Sequence, residues 1–237
     1  MPIPEGSGII NRKFARQAVY ETLRDWIITG VLEPGEKILD LDLGEYFSVS
    51  RTPVREALQQ LQTQKLVQIM PGRATVVAPL DVQDIEKCYR PLAELEALAA
   101  ELACGHLSED DFFELEYTLR QSADAAQKDD AVTVVGCDER FHAYIVDAAG
   151  NEYLSELTNT LLLHIRRIKY HYFHLAAMRQ ASAQQHGEIL RALREKDAAK
   201  SKTLMREHWL SAMRGCLGET VAYLRSLEEL PNTDEIK

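Results

Sequence analysis

Four side chains in the second half of the chain have the types and spacing of a metal-binding set: Asp138, His142, His186 and His208. Asp138 and His142 are four residues apart, so on a helix they lie one turn apart on the same face. That face continues through Ile145 and Ala149 and therefore points inward. His186 shares a face with Ile189, Leu190 and Leu193, and His208 shares one with Leu204, Ser211 and Ala212. An uncompensated buried carboxylate is expensive, and one divalent ion would satisfy all four groups together. Three nitrogens and one oxygen suit zinc or nickel, with iron or manganese also compatible. Hydrogen-bonded core histidines would account for the same faces one at a time, so spacing alone leaves both readings open. His171 and His174, three residues apart, are expected at a surface or a pocket rim instead. A metal with an open position could also activate water. Glu139 should point away from such a metal because it neighbours Asp138, which leaves that chemistry without a general base at a fixed spacing. A metal-dependent enzyme and a structural-metal scaffold are thus the alternatives to a sensor.

A second set lies in the first third of the chain. Ser50 is a good N-cap and Pro53 falls in the first helical turn, where a missing N–H costs nothing. Val54, Ala57, Leu58 and Leu61 follow at helical spacing. Arg51, Thr52 and Arg55 are left near the helix start, off the apolar face. A short helix with donors at its exposed N-terminal end is what a major-groove reader needs. In isolation, a capped surface helix with two solvated arginines would look the same.

The flanking elements separate these possibilities. Ala15, Val19, Leu23, Trp26 and Ile27 predict a helix from Phe14 to about Thr29, closed by Gly30. Leu32–Glu36 reads as a turn and Asp40–Phe47 as a second, short helix. Beyond the third helix, residues 66–70 and 74–77 are β-rich runs around Pro71-Gly72-Arg73, which predicts a hairpin with Arg73 beside its tip. Helix-turn-helix followed by a hairpin is a winged helix. The rest reads as helices at about 82–104, 109–127, 131–149, 152–175, 178–195 and 197–228. Pro91 is expected to kink or break the first of these. The expected fold is mainly α: an N-terminal winged helix-turn-helix and a C-terminal antiparallel all-α bundle. The expected organisation is a flexible N-terminus over 1–11, a DNA-binding domain over 12–79, an effector-binding and dimerisation domain over 80–228, and a flexible tail over 229–237.

Charge is unevenly spread along the 237 residues. Residues 1–80 carry 9 basic and 9 acidic groups, so the whole net charge of −10 falls on the remainder. The chain is therefore not a broadly basic nucleic-acid binder, and DNA contact must come from a local cluster. The four cysteines are scattered without a Cys-x-x-Cys pair, which argues against a disulfide frame or a thiolate zinc site. The first residues lack the basic and apolar regions of a leader, and no apolar run approaches the ~18–20 residues of a membrane span. These features predict a cytoplasmic protein with no membrane partner.

Val49-Ser50-Arg51-Thr52-Pro53-Val54-Arg55-Glu56-Ala57-Leu58 closely resembles the signature of GntR-type bacterial transcription regulators, and Gly30–Glu36 is similar to that family's turn after helix one. The resemblance covers about residues 12–79. It implies that Arg51, Thr52 and Arg55 touch operator bases and phosphates and that Gly72 and Arg73 act from the wing. Asp138-Glu139-Arg140-Phe141-His142, Ala148-Ala149-Gly150-Asn151, Gln185-His186-Gly187-Glu188-Ile189-Leu190 and Glu207-His208 resemble the FCD effector domain of the FadR subfamily, in its VanR-like form of about six helices. This second resemblance implies that Asp138, His142, His186 and His208 bind a divalent metal whose coordination a small carboxylate effector completes. It also implies a homodimer on a palindromic, double-stranded operator, responsive to a metabolite and acting as a repressor or an activator. One departure stands out. Many members carry an Arg three residues before the Leu-Glu of their first effector-domain helix, where this chain has Leu92 ahead of Leu95-Glu96. Arg90, Arg140 or Arg167 could substitute, or the metal could hold the effector alone.

Overall fold

The computed structural model describes residues 12–70, 75–172 and 179–228. The chain divides into two compact units, Met1–Leu80 and Asp81–Lys237.

In the first unit, α1 (Arg12–Thr29), α2 (Asp40–Tyr46) and α3 (Arg51–Thr63) surround one apolar core. Val19, Leu23 and Ile27 of α1 meet Val54, Ala57, Leu58 and Leu61 of α3, all of them buried. This is the inward stripe that the periodicity of both segments requires. Gly30 adopts φ +79°, and the Leu32 N–H donates to the Trp26 carbonyl at 3.0 Å, which closes α1 with the left-handed cap glycine favours. Between α2 and α3 the chain reverses tightly. The Val49 N–H donates to the Gly44 carbonyl at 2.9 Å, and a Cβ on Gly44 would lie 3.1 Å from the Val49 carbonyl oxygen. Ser50 holds the N-cap backbone conformation of α3, but its hydroxyl makes no capping bond.

The sheet has three strands where the sequence shows two. β1 (Lys37–Ile38), β2 (Val67–Ile69) and β3 (Thr75–Val77) are antiparallel in the order β1-β3-β2. β1 is two residues long, too short to leave an alternating pattern. It is fixed instead by pairing, Lys37 with Val76 and Ile38 with Thr75. The expected wing tip, Pro71–Ala74, lies outside the described residues.

The second unit is a helical bundle of α4 (Gln83–Ala103), α5 (Glu109–Gln127), α6 (Ala131–Ala148), α7 (Glu152–Tyr172), α8 (Arg179–Arg194) and α9 (Ala198–Glu228). α4 is central, packing on α6, α7 and α9. It runs unbroken through Pro91, where the sequence suggests a kink or break. Pro91 and Lys87 are both exposed, so the carbonyl that loses its partner faces the side where water can replace it. Ser108 and Asp111 form the capping box expected at α5, and Asp130 caps α6 by accepting from the Thr133 N–H. Gly150, at φ +63°, lies between α6 and α7. These caps fix where α6 starts and ends, and α6 carries two of the four metal-binding candidates. Among the described residues no helix is long and apolar enough to cross a membrane.

Candidate metal centre and nucleic-acid interface

Asp138, His142, His186 and His208 come together in the bundle, with one ligand atom of each within 4.8 Å of all the others. α6 supplies Asp138 and His142, α8 supplies His186, and α9 supplies His208. The three imidazoles are buried at 1–5% exposure, while the Asp138 side chain is 24% exposed and opens the cluster on one side. His142 Nε2 and His186 Nε2 face each other at 3.2 Å, and His186 Nε2 lies 3.5 Å from Asp138 Oδ1. Two nitrogens bound to one zinc at ~2.0–2.1 Å are about 2.8–3.4 Å apart at octahedral to tetrahedral angles, so the donors fit a common ion.

The rings are held from behind. His142 Nδ1 donates to Glu96 Oε2 at 2.6 Å, and Trp209 Nε1 donates to the same oxygen at 2.8 Å. His208 Nδ1 donates to the Gln185 carbonyl oxygen Oε1 at 3.0 Å. Each bond ties down Nδ1 and turns Nε2 inward, the usual arrangement behind metal-bound histidines. Ser182 Oγ donates to Asp138 Oδ1 at 3.3 Å. Glu96 is wholly buried, and its second oxygen has no hydrogen-bond partner.

Electrostatics prepare the set for a cation. Burial pushes His186 down to about 4 and His208 well below the ordinary imidazole value, so both rings are neutral near pH 7. Burial opposes protonation of His142 as well, but the Glu96 carboxylate outweighs it and raises that group. Burial would raise the Asp138 carboxyl, yet Lys169, with Nζ 4.0 Å from Oδ2, and the three imidazoles hold it well below the usual carboxylate range. The result is an ionised carboxylate beside the neutral rings of His186 and His208, while His142 must give up a proton to a metal.

A cavity of about 280 Å³ adjoins the cluster. Asp138 and His142 form part of its wall, with Asn159, Arg166, Lys169 and Trp209. Arg166 makes a bidentate pair with Glu139 at 2.6 and 2.7 Å, so Glu139 is turned to Arg166. The three cations singled out in the sequence lie elsewhere. Arg90 pairs with Glu86 on a separate groove, Arg140 reaches Gln121, and Arg167 is buried at 2% exposure without lining this cavity. The side chains of His171 and His174 lie outside the described residues.

Glu96 and Lys169 were not legible as site residues. Glu96 had a usable signal: it is a charge on the α4 stripe formed by Tyr89, Leu92, Ala93, Ala97 and Ala100, all buried. Lys169 had none, because a lysine near the end of a helix is ordinarily solvated.

In the first unit Arg51, Thr52 and Arg55 are exposed together at the start of α3. Arg55 Nε donates to Asp40 Oδ2 at 2.7 Å. That hydrogen bond, with the charge of Arg55 and then of Arg51, holds the Asp40 carboxyl below its ordinary value, although slight burial works the other way. Gly72 and Arg73 lie outside the described residues.

Comparison with known proteins agrees with both halves. Residues 88–211 match the FCD domain, and residues 15–77 match the bacterial regulatory proteins of the gntR family. The chain belongs to the GntR family. It is a DNA-binding transcription regulator of the FadR type, with a C-terminal FCD domain that carries a candidate Asp/His metal site, and not an enzyme. Among its relatives in this family, the HTH-type transcriptional repressor RspR of Escherichia coli is 25% identical over 192 residues, covering 81% of this chain and 84% of the relative. An HTH-type transcriptional regulator in an unstable DNA locus of Streptomyces ambofaciens is 30% identical over 207 residues, covering 84% and 83%. The solved structure of E. coli McbR/YncC shares the fold at a TM-score of 0.73 and 23% identity, covering 86% of this chain and 98% of that one.

Proposed function

We propose that this regulator is a metabolite sensor whose input is the Asp138/His142/His186/His208 centre and whose output is α3. The observation that carries this reading is the coincidence of a buried three-histidine, one-carboxylate cluster with the 280 Å³ cavity that shares Asp138 and His142 as wall. Asp138 and the three Nε2 atoms would hold zinc or nickel, with iron or manganese also compatible. When bound, the ion supplies a coordination position for an anionic oxygen. Lys169 and Arg166 line the same cavity, and they supply the positive charge for a small carboxylate that the sequence assigned to Arg90, Arg140 or Arg167.

On the DNA side, Arg51, Thr52 and Arg55 touch the operator from α3, and Gly72 and Arg73 from the wing. The DNA-binding domain spans 12–79 and the effector domain 80–228, and the protein acts as a homodimer on a palindromic site, because a two-fold dimer matches a two-fold operator. A tenfold change in operator affinity on effector binding needs only ~1.4 kcal/mol of coupling.

The test is a melting series of zinc-loaded protein across small mono- and dicarboxylates. At least one acid should raise the melting temperature without being consumed, and the same acid should shift operator binding. Stabilisation by none of them, or turnover of one, contradicts the sensor reading.

A further inference from the structure

The geometry points to Asp40 as the residue that sets how Arg55 reads DNA. The inference rests on the placement of Arg55 against the operator proposed above. Asp40 opens α2, and Arg55 lies in the second turn of α3, across the tight reversal at Gly44 and Val49. Arg55 Nε donates to Asp40 Oδ2 at 2.7 Å. The side chain of Asp40 is 29% exposed and that of Arg55 64%, so the carboxylate is the sheltered partner and the guanidinium the presented one. Among the described residues Arg55 makes no other hydrogen bond or ion pair, and Arg51 makes none.

A guanidinium has five N–H donors in one plane. With Nε–H taken by Asp40, the pair formed by Nε and one terminal nitrogen is no longer available to DNA. What remains is the tip, where the two terminal nitrogens present a fork that matches the O6 and N7 acceptors of guanine in the major groove. The same carboxylate disfavours the alternative use of Arg55. It neutralises the charge that would attract phosphate, and as an anion it is itself repelled by the backbone. Arg51 lies one turn earlier and feels the Asp40 charge without a hydrogen bond to it, so it is the freer of the two for phosphate. Asp40 therefore works in two opposed directions: it lowers affinity for DNA of any sequence and raises selectivity for one G·C pair. A surface ion pair that only stabilised the fold would do neither.

The experiment uses the full chain and an operator selected from random-sequence duplexes. Binding to that operator and its single-base-pair variants is measured for wild type, Arg55→Ala, Asp40→Ala and Asp40→Asn, with melting curves for each. Arg55→Ala should lose discrimination at one G·C pair. Asp40→Ala should lose discrimination at that same pair, on the order of tenfold, with wild-type melting. Asp40→Asn, which keeps an acceptor but not the charge, should bind non-operator duplex more tightly than wild type. Full discrimination at that pair in Asp40→Ala, an equal loss on all sequences, or weaker non-operator binding by Asp40→Asn overturns the role of Asp40 alone. Unaltered discrimination in Arg55→Ala overturns the base-reading role of Arg55 and this inference with it.

Discussion

Glu96 Oε2 accepts from His142 Nδ1 at 2.6 Å while remaining wholly buried, so a carboxylate in the centre of α4 fixes the orientation of a candidate metal ligand on α6. Burying that charge costs free energy that a leucine at the same place would avoid. The hydrogen bonds from His142 and Trp209 offset part of the cost. Glu96→Gln keeps the shape and removes the charge that makes His142 a strong donor. It should weaken zinc binding by about 10–100-fold, the usual effect of removing such a partner. Competition titration against a chromogenic chelator measures this. Unchanged zinc affinity would leave Glu96 with a packing role only.

Lys169 should act with opposite signs on the two ligands. Its Nζ lies 4.0 Å from Asp138 Oδ2 and so repels a cation held by that carboxylate. Lys169→Met should tighten zinc binding by about fivefold, roughly 1 kcal/mol of relieved repulsion in a partly solvated site. It should also diminish the stabilisation of the zinc-loaded protein by carboxylates. Calorimetric titration with zinc, then melting with the acid, separates the two effects. A fall in both zinc and carboxylate binding would point to simple damage.

Much of this site was legible because helices print their faces in sequence. Asp138 and His142 at a spacing of four, and His186 and His208 among leucines and alanines, required inward positions wherever the helices packed. Glu96 interrupts a buried stripe and could be found the same way. The two-residue β1 left no pattern, since its pairing with β3 is a long-range fact. The cations of the cavity wall depend on packing in a similar way. Arg90, Arg140 and Arg167 are on suitable helices, but which cation lines a cavity depends on rotation and crossing of helices, and here Arg166 and Lys169 line it. The ion pair between Asp40 and Arg55 joins residues on two helices whose approach is set by the turn, so neither segment announces it alone.

The turn itself gives a prediction confined to the DNA-binding unit. A β-branched side chain on Gly44 meets the Val49 carbonyl, which a Cβ alone already approaches to 3.1 Å. Gly44→Val should destabilise that unit by ~1–3 kcal/mol and weaken operator binding in proportion. Zinc binding by the bundle should be unaffected. Denaturant melts followed by Trp26 and by zinc-dependent protection would show whether the two units respond separately.

The capping box at α5 has a pH signature. Its hydrogen bonds from the Ser108 backbone and then the Ser108 side chain hold the Asp111 carboxyl below its ordinary 3.8. A depressed folded-state value means the stabilisation is present above the unfolded value and is lost as pH falls through the folded one. Asp111→Asn should therefore cost ~0.3–1 kcal/mol at pH 7, the usual worth of an exposed anion in the first helical turn. The gap between wild type and mutant should close as pH falls below about 4. Equal gaps at pH 7 and pH 3 would contradict this assignment.

The sensor reading stands or falls with a metal in the Asp138/His142/His186/His208 cluster. The most direct measurement is elemental analysis of purified protein after supplementation with zinc or nickel, run beside His186→Ala and His208→Ala. Wild type should carry about one divalent ion per chain and either variant none, with operator binding by the ion-free variants largely retained. Wild-type protein without stoichiometric metal after supplementation, or variants that keep it, would rule out these four residues as the metal ligands.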